Sequence, residues 1–195
     1  MNEETKTPHP QIDNDGFVLL KNVRLSFPHL FTPRGFGGDD ESNPKYSTSV
    51  MIPKDSVGNL EALRIAIGIV KEAKWPGVKK PVADDKLCIK SGDDSDDERM
   101  HDHFILSTSS TRRPSLFLRD KSQARDGDSD LFYGGVFANV KVSPWAMDNK
   151  FGKRICCEIK AVLTLERGDP FGAKAATSDG MGDDSADESD SEVPF

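Results

Sequence analysis

The sequence contains no apolar run approaching the ~20 residues that cross a bilayer. Residues 1–15 are polar and lack the apolar segment of a secretory signal. Both absences predict an intracellular protein without membrane contact. Cysteine is scarce: Cys88, Cys156 and Cys157 are an odd set with no Cys-x-x-Cys spacing. Adjacent strand residues point to opposite faces, so Cys156 and Cys157 cannot share a tetrahedral metal site on a strand. Buried or half-buried thiols are expected instead.

Catalytic signatures are missing as well. There is no Gly-x-x-x-x-Gly-Lys phosphate loop, no His-Glu-x-x-His and no Gly-x-Ser-x-Gly. The Gly-rich pieces at Arg34–Gly38 and Gly134-Gly135 are too short to specify a nucleotide site. His101-Asp102-His103 has no second ligand cluster to accompany it. Asp93, Asp94, Asp96 and Asp97 form one contiguous run in a Ser/Gly context, whereas nucleases gather metal carboxylates from separate strand ends. A solvated acidic loop is the better reading. No enzyme activity, cofactor or metal is expected.

Positive charge is also lacking overall, with a net charge of -7. Its distribution is uneven. Asp179 to Phe195 carries seven acids (Asp179, Asp183, Asp184, Asp187, Glu188, Asp190, Glu192) and no base. Residues 1–178 are then neutral, with 26 acids and 26 bases. Asp93 to Asp102 holds six more acids against Arg99, leaving the remaining body at a formal +5. Charge is segregated into a mildly basic body, an acidic loop and an acidic tail. Such asymmetry bears on partners rather than fold.

After Phe171-Gly172 the chain is Ala, Gly, Ser and Asp, too apolar-poor to offset ordering entropy. Residues 173–195 are therefore expected to be a disordered acidic tail with an apolar tip, Glu192-Val193-Pro194-Phe195. Residues 1–15 are expected to be a flexible N-terminus, and residues 16–172 the folded domain.

Strands dominate that domain. Period-2 alternation, the signal for half-buried strands, runs through four segments. In Phe17–Phe27, the residues Phe17, Leu19, Val23, Leu25 and Phe27 share a face that Lys21 interrupts. Tyr46, Thr48, Val50 and Ile52 form the second face. Val136, Ala138, Val140 and Val142 form the third, with Phe137, Asn139 and Lys141 opposite. Ile155, Cys157, Ile159, Ala161, Leu163 and Leu165 form the fourth. Leu87–Lys90, Phe104–Ser107 and Ser115–Leu118 are weaker candidates. One helix is predicted from a Ser56 cap through Leu60, Leu63, Ile67 and Val70 to Lys74, ended by Trp75-Pro76-Gly77. The fold class is mainly β, a small barrel or sandwich with one inserted α-helix.

Binding of single strands without sequence preference needs cations for phosphates and aromatic platforms for bases. Aromatic and basic residues are interleaved along the body. Tyr133, Phe137, Trp145, Tyr46, Phe36 and Phe31 are the stacking candidates. Arg34, Lys45, Arg112, Arg113, Lys141, Lys150, Lys153 and Arg154 are the phosphate candidates. Tyr133 and Phe137 stand out because they lie on the polar face of a strand whose other face is already apolar. Phe17, Phe27, Phe104 and Phe117 are assigned to core packing.

Several strings carry a resemblance. They are VRLSFPHLFTP (Val23 to Pro33), KYSTSVMIPK (Lys45 to Lys54), the helix ending in Trp75, RRP (Arg112 to Pro114), LFYGGVFANVKVSPW (Leu131 to Trp145) and MDNKFGKRI (Met147 to Ile155). In this order they resemble a family of phage single-stranded DNA-binding proteins, long catalogued as a domain of unknown function. The resemblance spans about Val18 to Gly172. It implies an oligonucleotide-binding (OB) barrel that coats single-stranded DNA during phage replication, recombination or repair in the host cytoplasm. The tip resembles the acidic Ile-Pro-Phe terminus of bacterial single-stranded DNA-binding proteins, with Val193 in place of Ile. It implies partner binding through Glu192, Val193, Pro194 and Phe195, and competition of the tail with DNA. The Asp93–Asp102 acidic insert is longer than the family leads one to expect. Monomer and dimer both remain open. The rival reading is an acidic protein-interaction or DNA-mimic module. A third is a metal-dependent nuclease built on the Asp93 cluster.

Overall fold

The computed structural model describes residues 8–35 and 43–171. The strands are β1 (Val18–Arg34), β2 (Lys45–Pro53), β3 (Ile89–Ser91), β4 (His103–Ser110), β5 (Ser115–Phe117), β6 (Phe137–Asn149) and β7 (Gly152–Thr164), with one helix, α1 (Val57–Lys74), between β2 and β3. The hydrogen-bonded order is β3-β4-β2-β1-β6-β7-β5, and β4 curls round against β7. There Ser110 Oγ donates to Glu158 Oε1 at 3.2 Å. The strands β1, β2, β4, β7 and β6 thus form a partly open five-stranded barrel, the OB architecture. The short strands β3 and β5 lie at the two ends of the order, β5 pairing parallel with β7.

The alternating strands place their apolar faces inward, but register shifts redirect them, among them two in β1 and one in β7 that bear on the core face. In β1 the pairing with β6 slips between Leu20 and Val23, where Asn22 adopts φ 50°. Val18 and Leu20 therefore point inward before the slip, and Val23 and Leu25 after it. Phe17 and Leu19, expected on the core face, are only half-buried. The interruption at Lys21 was the sequence trace of this bulge, which adds a residue and changes the face that follows. A second irregularity in β1 lies between Ser26 and His29, and a third in β7 passes the inward role from Ile159 to Val162. Beyond that slip Ala161 and Leu163 are only half-buried, against the expectation of a single face.

Helix α1 buries Asn59, Ala62, Leu63, Ala66 and Ile67, the i, i+3, i+4 stripe that sets one face on the barrel. It packs on β1 and β6. Ser56 holds the N-cap position, but its hydroxyl accepts from Asn59 Nδ2 at 2.8 Å and caps no backbone amide. Asn59 is the helix's polar anchor. Its Oδ1 accepts from Lys21 N at 2.9 Å and Gln11 Nε2 at 2.7 Å, and its Nδ2 donates to Lys21 O at 2.8 Å. These bonds satisfy the backbone that the first bulge removes from the ladder. Substituting Asn59→Leu is expected to lower unfolding free energy by about 1–3 kcal/mol, because both Lys21 backbone groups lose their partner. Urea denaturation of the two proteins checks this.

The N-terminal arm differs from the sequence expectation over residues 8–15. Ile12 is buried in the core and bridges Val18, and Asp13 pairs with Lys141 at 2.5 Å. A single isoleucine among polar residues carries no periodicity, so its burial left no pattern to read. The expected tail, residues 173–195, lies outside the described residues. No helix among the described residues is long and apolar enough to cross a membrane.

Candidate nucleic-acid interface

The outer face of β2 and β4 is floored by serines. Ser47 stands opposite Ser109, and Ser49 opposite Ser107. Their side chains alternate with inward Thr48, Val50, Leu106 and Thr108. Below the floor the buried hydroxyls are satisfied: Thr108 Oγ1 donates to Thr48 O at 2.7 Å, and Thr48 Oγ1 to Ser26 O at 3.1 Å. Small side chains keep this face low and leave a hollow of about 380 Å³ between taller neighbours. On the β1 side it is lined by Phe27, His29 and Arg34. A second hollow of about 370 Å³ continues across Ser107 and Ser109 to Lys86, Lys90, Arg154 and Cys156. Together they make a trough from β1, over β2 and β4, to β7.

Phe27 is the wall of the trough. It is 64% exposed, while Ser26 beside it is 2% exposed. Phe27 was expected in the core, as the next member of the series Val23, Leu25, Phe27. The second irregularity in β1 overturns this, because φ 48° at Phe27 swings its ring out of the apolar series. A bulky residue at positive φ is strained. Here the strain presents a bare ring to solvent beside cations.

The cations line both walls. Arg34 pairs in the ladder with Lys45, which shares the outward face of Ser47 and Ser49. Burial, and then the Arg34 charge, push the His29 imidazole below its ordinary value, so its ring is neutral at neutral pH. Arg154 Nε is buried without a hydrogen-bond partner among the described residues. An unpaired guanidinium N–H in a hollow suits an anionic oxygen.

The other sequence candidates are spread over the barrel. Trp145 is 42% exposed and pairs with Cys156, placing it beside the β7 end of the trough. Tyr46 is half-buried in the core-facing register of Thr48 and Val50. Phe31 is half-buried edge-on to Phe132, with ring centroids 5.3 Å apart. Arg113 stacks on Phe31 at 4.9 Å and pairs with Asp126 at 2.7 Å, while Arg112 is exposed. Lys150 lies 5.0 Å from the Phe151 ring at the β6–β7 turn, and Lys153 lies 5.4 Å from Trp75. Lys141 is drawn away to Asp13 and the Phe17 ring. Phe36 and Glu192, Val193, Pro194 and Phe195 lie outside the described residues.

Tyr133 and Phe137 do share a region, but a strap covers it. Tyr133 Oη donates to Gly168 O at 2.9 Å and accepts from Gly168 N at 3.1 Å. Arg24 stacks on Phe137 at 5.1 Å and on Phe171 at 4.5 Å, and Arg99 stacks on Phe171 at 5.3 Å. Arg24 also donates to Gly135 O at 3.0 Å and Asp169 O at 2.8 Å. This ladder of rings and guanidiniums ties residues 168–171 across β1 and β6. Gly135 has φ 110°, and a Cβ there would stand 2.1 Å from Asp169 O, so the strap needs glycine at that point. Gly134 lies between the Phe171 ring and the Phe27 backbone, so the chain leaves the barrel beside the trough.

The acidic loop is engaged with its own Arg99 and with Lys54 outside it. Asp93 pairs with Lys54 and accepts from Asp102 N at 3.0 Å, and Asp97 pairs with Arg99 at 2.7 Å. These hydrogen bonds hold both carboxyls below the usual carboxylate value. Among the described residues no three His, Cys, Asp or Glu side chains are grouped to hold a metal ion.

Residues 17–192 match the model of the family described as Enterobacter phage Enc34, ssDNA-binding protein. The chain belongs to this family. Its relatives include protein p50 of Acyrthosiphon pisum secondary endosymbiont phage 1, 28% identical over 163 residues, covering 79% of this chain and 85% of p50. Among solved structures, the single-stranded DNA-binding protein of bacteriophage Enc34 in complex with ssDNA is similar at 31% identity and TM-score 0.73, over 82% of this chain and 91% of that one. The single-stranded DNA-binding protein gp2.5 of bacteriophage T7 shares the fold at 12% identity and TM-score 0.59, over 83% and 97%. The OB-like fold is shared with these single-stranded DNA-binding proteins.

Phe27, His29, Lys86, Lys90 and the serine floor were missed from sequence. For the floor a signal existed. Serines alternate with Thr and Val in YSTSV and with Leu and Thr in ILSTSS. Two strands with small outward residues at alternate positions point to a face kept low.

Proposed function

We propose that this family member coats single-stranded DNA without strong sequence preference, holding the strand in the serine-floored trough. The observation that carries the reading is Phe27, an exposed ring on a strained bulge, set between a floor of small side chains and flanking cations. Bases stack on Phe27 and Trp145, with phosphates against Arg34, Lys45 and Arg154. Sequence-tolerant binding follows because every base has a π-face. Support also comes from the 31% identical Enc34 protein, which was solved with ssDNA. The role is non-enzymatic and serves phage DNA replication, recombination or repair in the host cytoplasm. Residues 16–172 are the binding domain. Residues 173–195 are a tether whose Glu192–Phe195 tip recruits replication or recombination proteins.

Titration of fluorescent oligo-dT across a salt series tests this. Affinity should fall with salt, by a slope of roughly −0.7 per neutralised phosphate. The triple substitution Arg34→Gln, Lys45→Gln, Arg154→Gln is expected to flatten the log–log slope by about 2. An absence of oligo-dT binding at low salt would return the chain to the acidic interaction-module reading.

A further inference from the structure

The outer face that carries the serine floor continues past Phe27. Val23 and Leu25 are buried inward, so Arg24 stands on the outer face of β1, paired with Phe137 of β6 and Met51 of β2. Met51 in turn pairs with Ile105 of β4. The row Phe137, Arg24, Met51, Ile105 lies two residues along the strands from Ser49 and Ser107. Two residues of strand span about 7 Å. Ser107 is exposed, yet Met51 is 1% exposed, so this row is roofed where the floor beside it is open.

On the Arg24 side the roof is the strap, residues 168–171. The Phe171 ring centre lies 4.5 Å from the Arg24 guanidinium and 5.3 Å from that of Arg99, and Arg24 lies 5.1 Å from the Phe137 ring. Phe137, Arg24, Phe171 and Arg99 are thus an alternating run of rings and guanidiniums. Asp97 already pairs with Arg99, so that guanidinium offers a plane for stacking rather than spare charge. A flat π-face laid on arginine planes is also how unpaired bases are held. The strap itself is lightly fastened. None of residues 168–171 is buried, and Phe171 is half-buried. Beyond the stacking, the hold on it is a few hydrogen bonds: Phe171 N to Gly134 O at 2.8 Å, Arg99 to Phe171 O, and those of Tyr133 and Arg24 to Gly168 and Asp169. Segments with few buried contacts are the ones that open first.

We propose that Phe171 stands in for a nucleobase. In the free protein its ring fills a base subsite on Arg24 and Arg99. A single strand running on from Phe27 puts a base in its place and lifts the strap. Gly134 joins the two subsites, because it lies between the Phe171 ring and the Phe27 backbone. The proposal rests on the reading that the strand lies in the trough. A strap that served only as a fixed anchor would stay closed on the bound strand.

The test is amide hydrogen exchange of the full chain, read residue by residue with and without saturating oligo-dT. Exchange at Gly168 N and Phe171 N is expected to be several-fold faster in the complex, because Tyr133 Oη and Gly134 O release them. The ladder amides of β2 and β4 should not speed up. Rates at Gly168 and Phe171 that stay the same or slow on binding would overturn the proposal and leave the trough reading standing. An absence of oligo-dT binding overturns both. In the full chain, Phe171→Ala is expected to tighten oligo-dT binding several-fold, and adding Arg99→Ala should remove the gain. The gain should persist at high salt, where competition by the acidic tail is screened. An affinity unchanged or weakened by Phe171→Ala would also overturn the proposal. If that variant fails to fold, the exchange rates of the unsubstituted chain decide alone.

Discussion

Replacing Phe27 with alanine is expected to weaken oligo-dT binding roughly tenfold and to leave the unfolding midpoint nearly unchanged. The ring is 64% exposed, so its removal opens no cavity and strips little buried surface. The strain at φ 48° is also common to both side chains, because each carries a Cβ. A stacked base contributes ~1–3 kcal/mol, and about 1.4 kcal/mol is tenfold in affinity. The contrast is Phe132→Ala. Phe132 is 4% exposed, and truncating it should cost about 3–5 kcal/mol of stability. Fluorescence titration with parallel thermal melts separates the two effects. Phe27→Trp should retain binding. An unchanged affinity in Phe27→Ala would move the stacking platform to Trp145 or to the Tyr133–Phe137 pair beneath the strap.

Deleting Asp179–Phe195 is expected to tighten oligo-dT binding several-fold at low salt, with the difference fading as salt rises. The deleted segment carries seven acids and no base. Its tether starts at Phe171, which is held beside Phe27 by Arg24 and Arg99. Seven residues, 172–178, link those acids to Phe171, and a linker this short holds an attached group at about millimolar effective concentration near the trough cations. Competition of this kind is electrostatic and is screened within about 10 Å at 0.1 M salt. Titration of both proteins at two salt concentrations checks it. A marked loss of affinity on truncation would refute competition and make the tail part of the DNA site.

Sequence periodicity made the barrel legible wherever a strand kept one face. Val136 to Val142 alternates in the structure as it does in the sequence, and α1 ends at Trp75 as its Trp-Pro-Gly signal required. Legibility failed at the bulges. One inserted residue flips every later side chain. The regular spacing of Leu25 and Phe27 therefore hid the residue that matters most for the trough. Tyr133 and Phe137 differ from the sequence expectation in their surroundings. Their strand face was read as open, but the covering strap comes from Gly168–Phe171, far along the chain. Alternation reports which residues share a face and is silent about what a distant segment lays over it. The basic residues were legible as a population, yet their pairing with Asp13, Asp126 and aromatic rings is decided by tertiary neighbours.

The two strands at the ends of the sheet order, β3 and β5, are each three residues long. A protein that coats a nucleic-acid strand is crowded against copies of itself. At such local concentrations an exposed sheet margin is a template for cross-β growth between neighbours. Strands this short cover only part of β4 and β7, and the seam turns the rest of those two edges toward each other. The curled barrel therefore leaves fewer backbone groups for a neighbouring copy to pair with than an open sheet would.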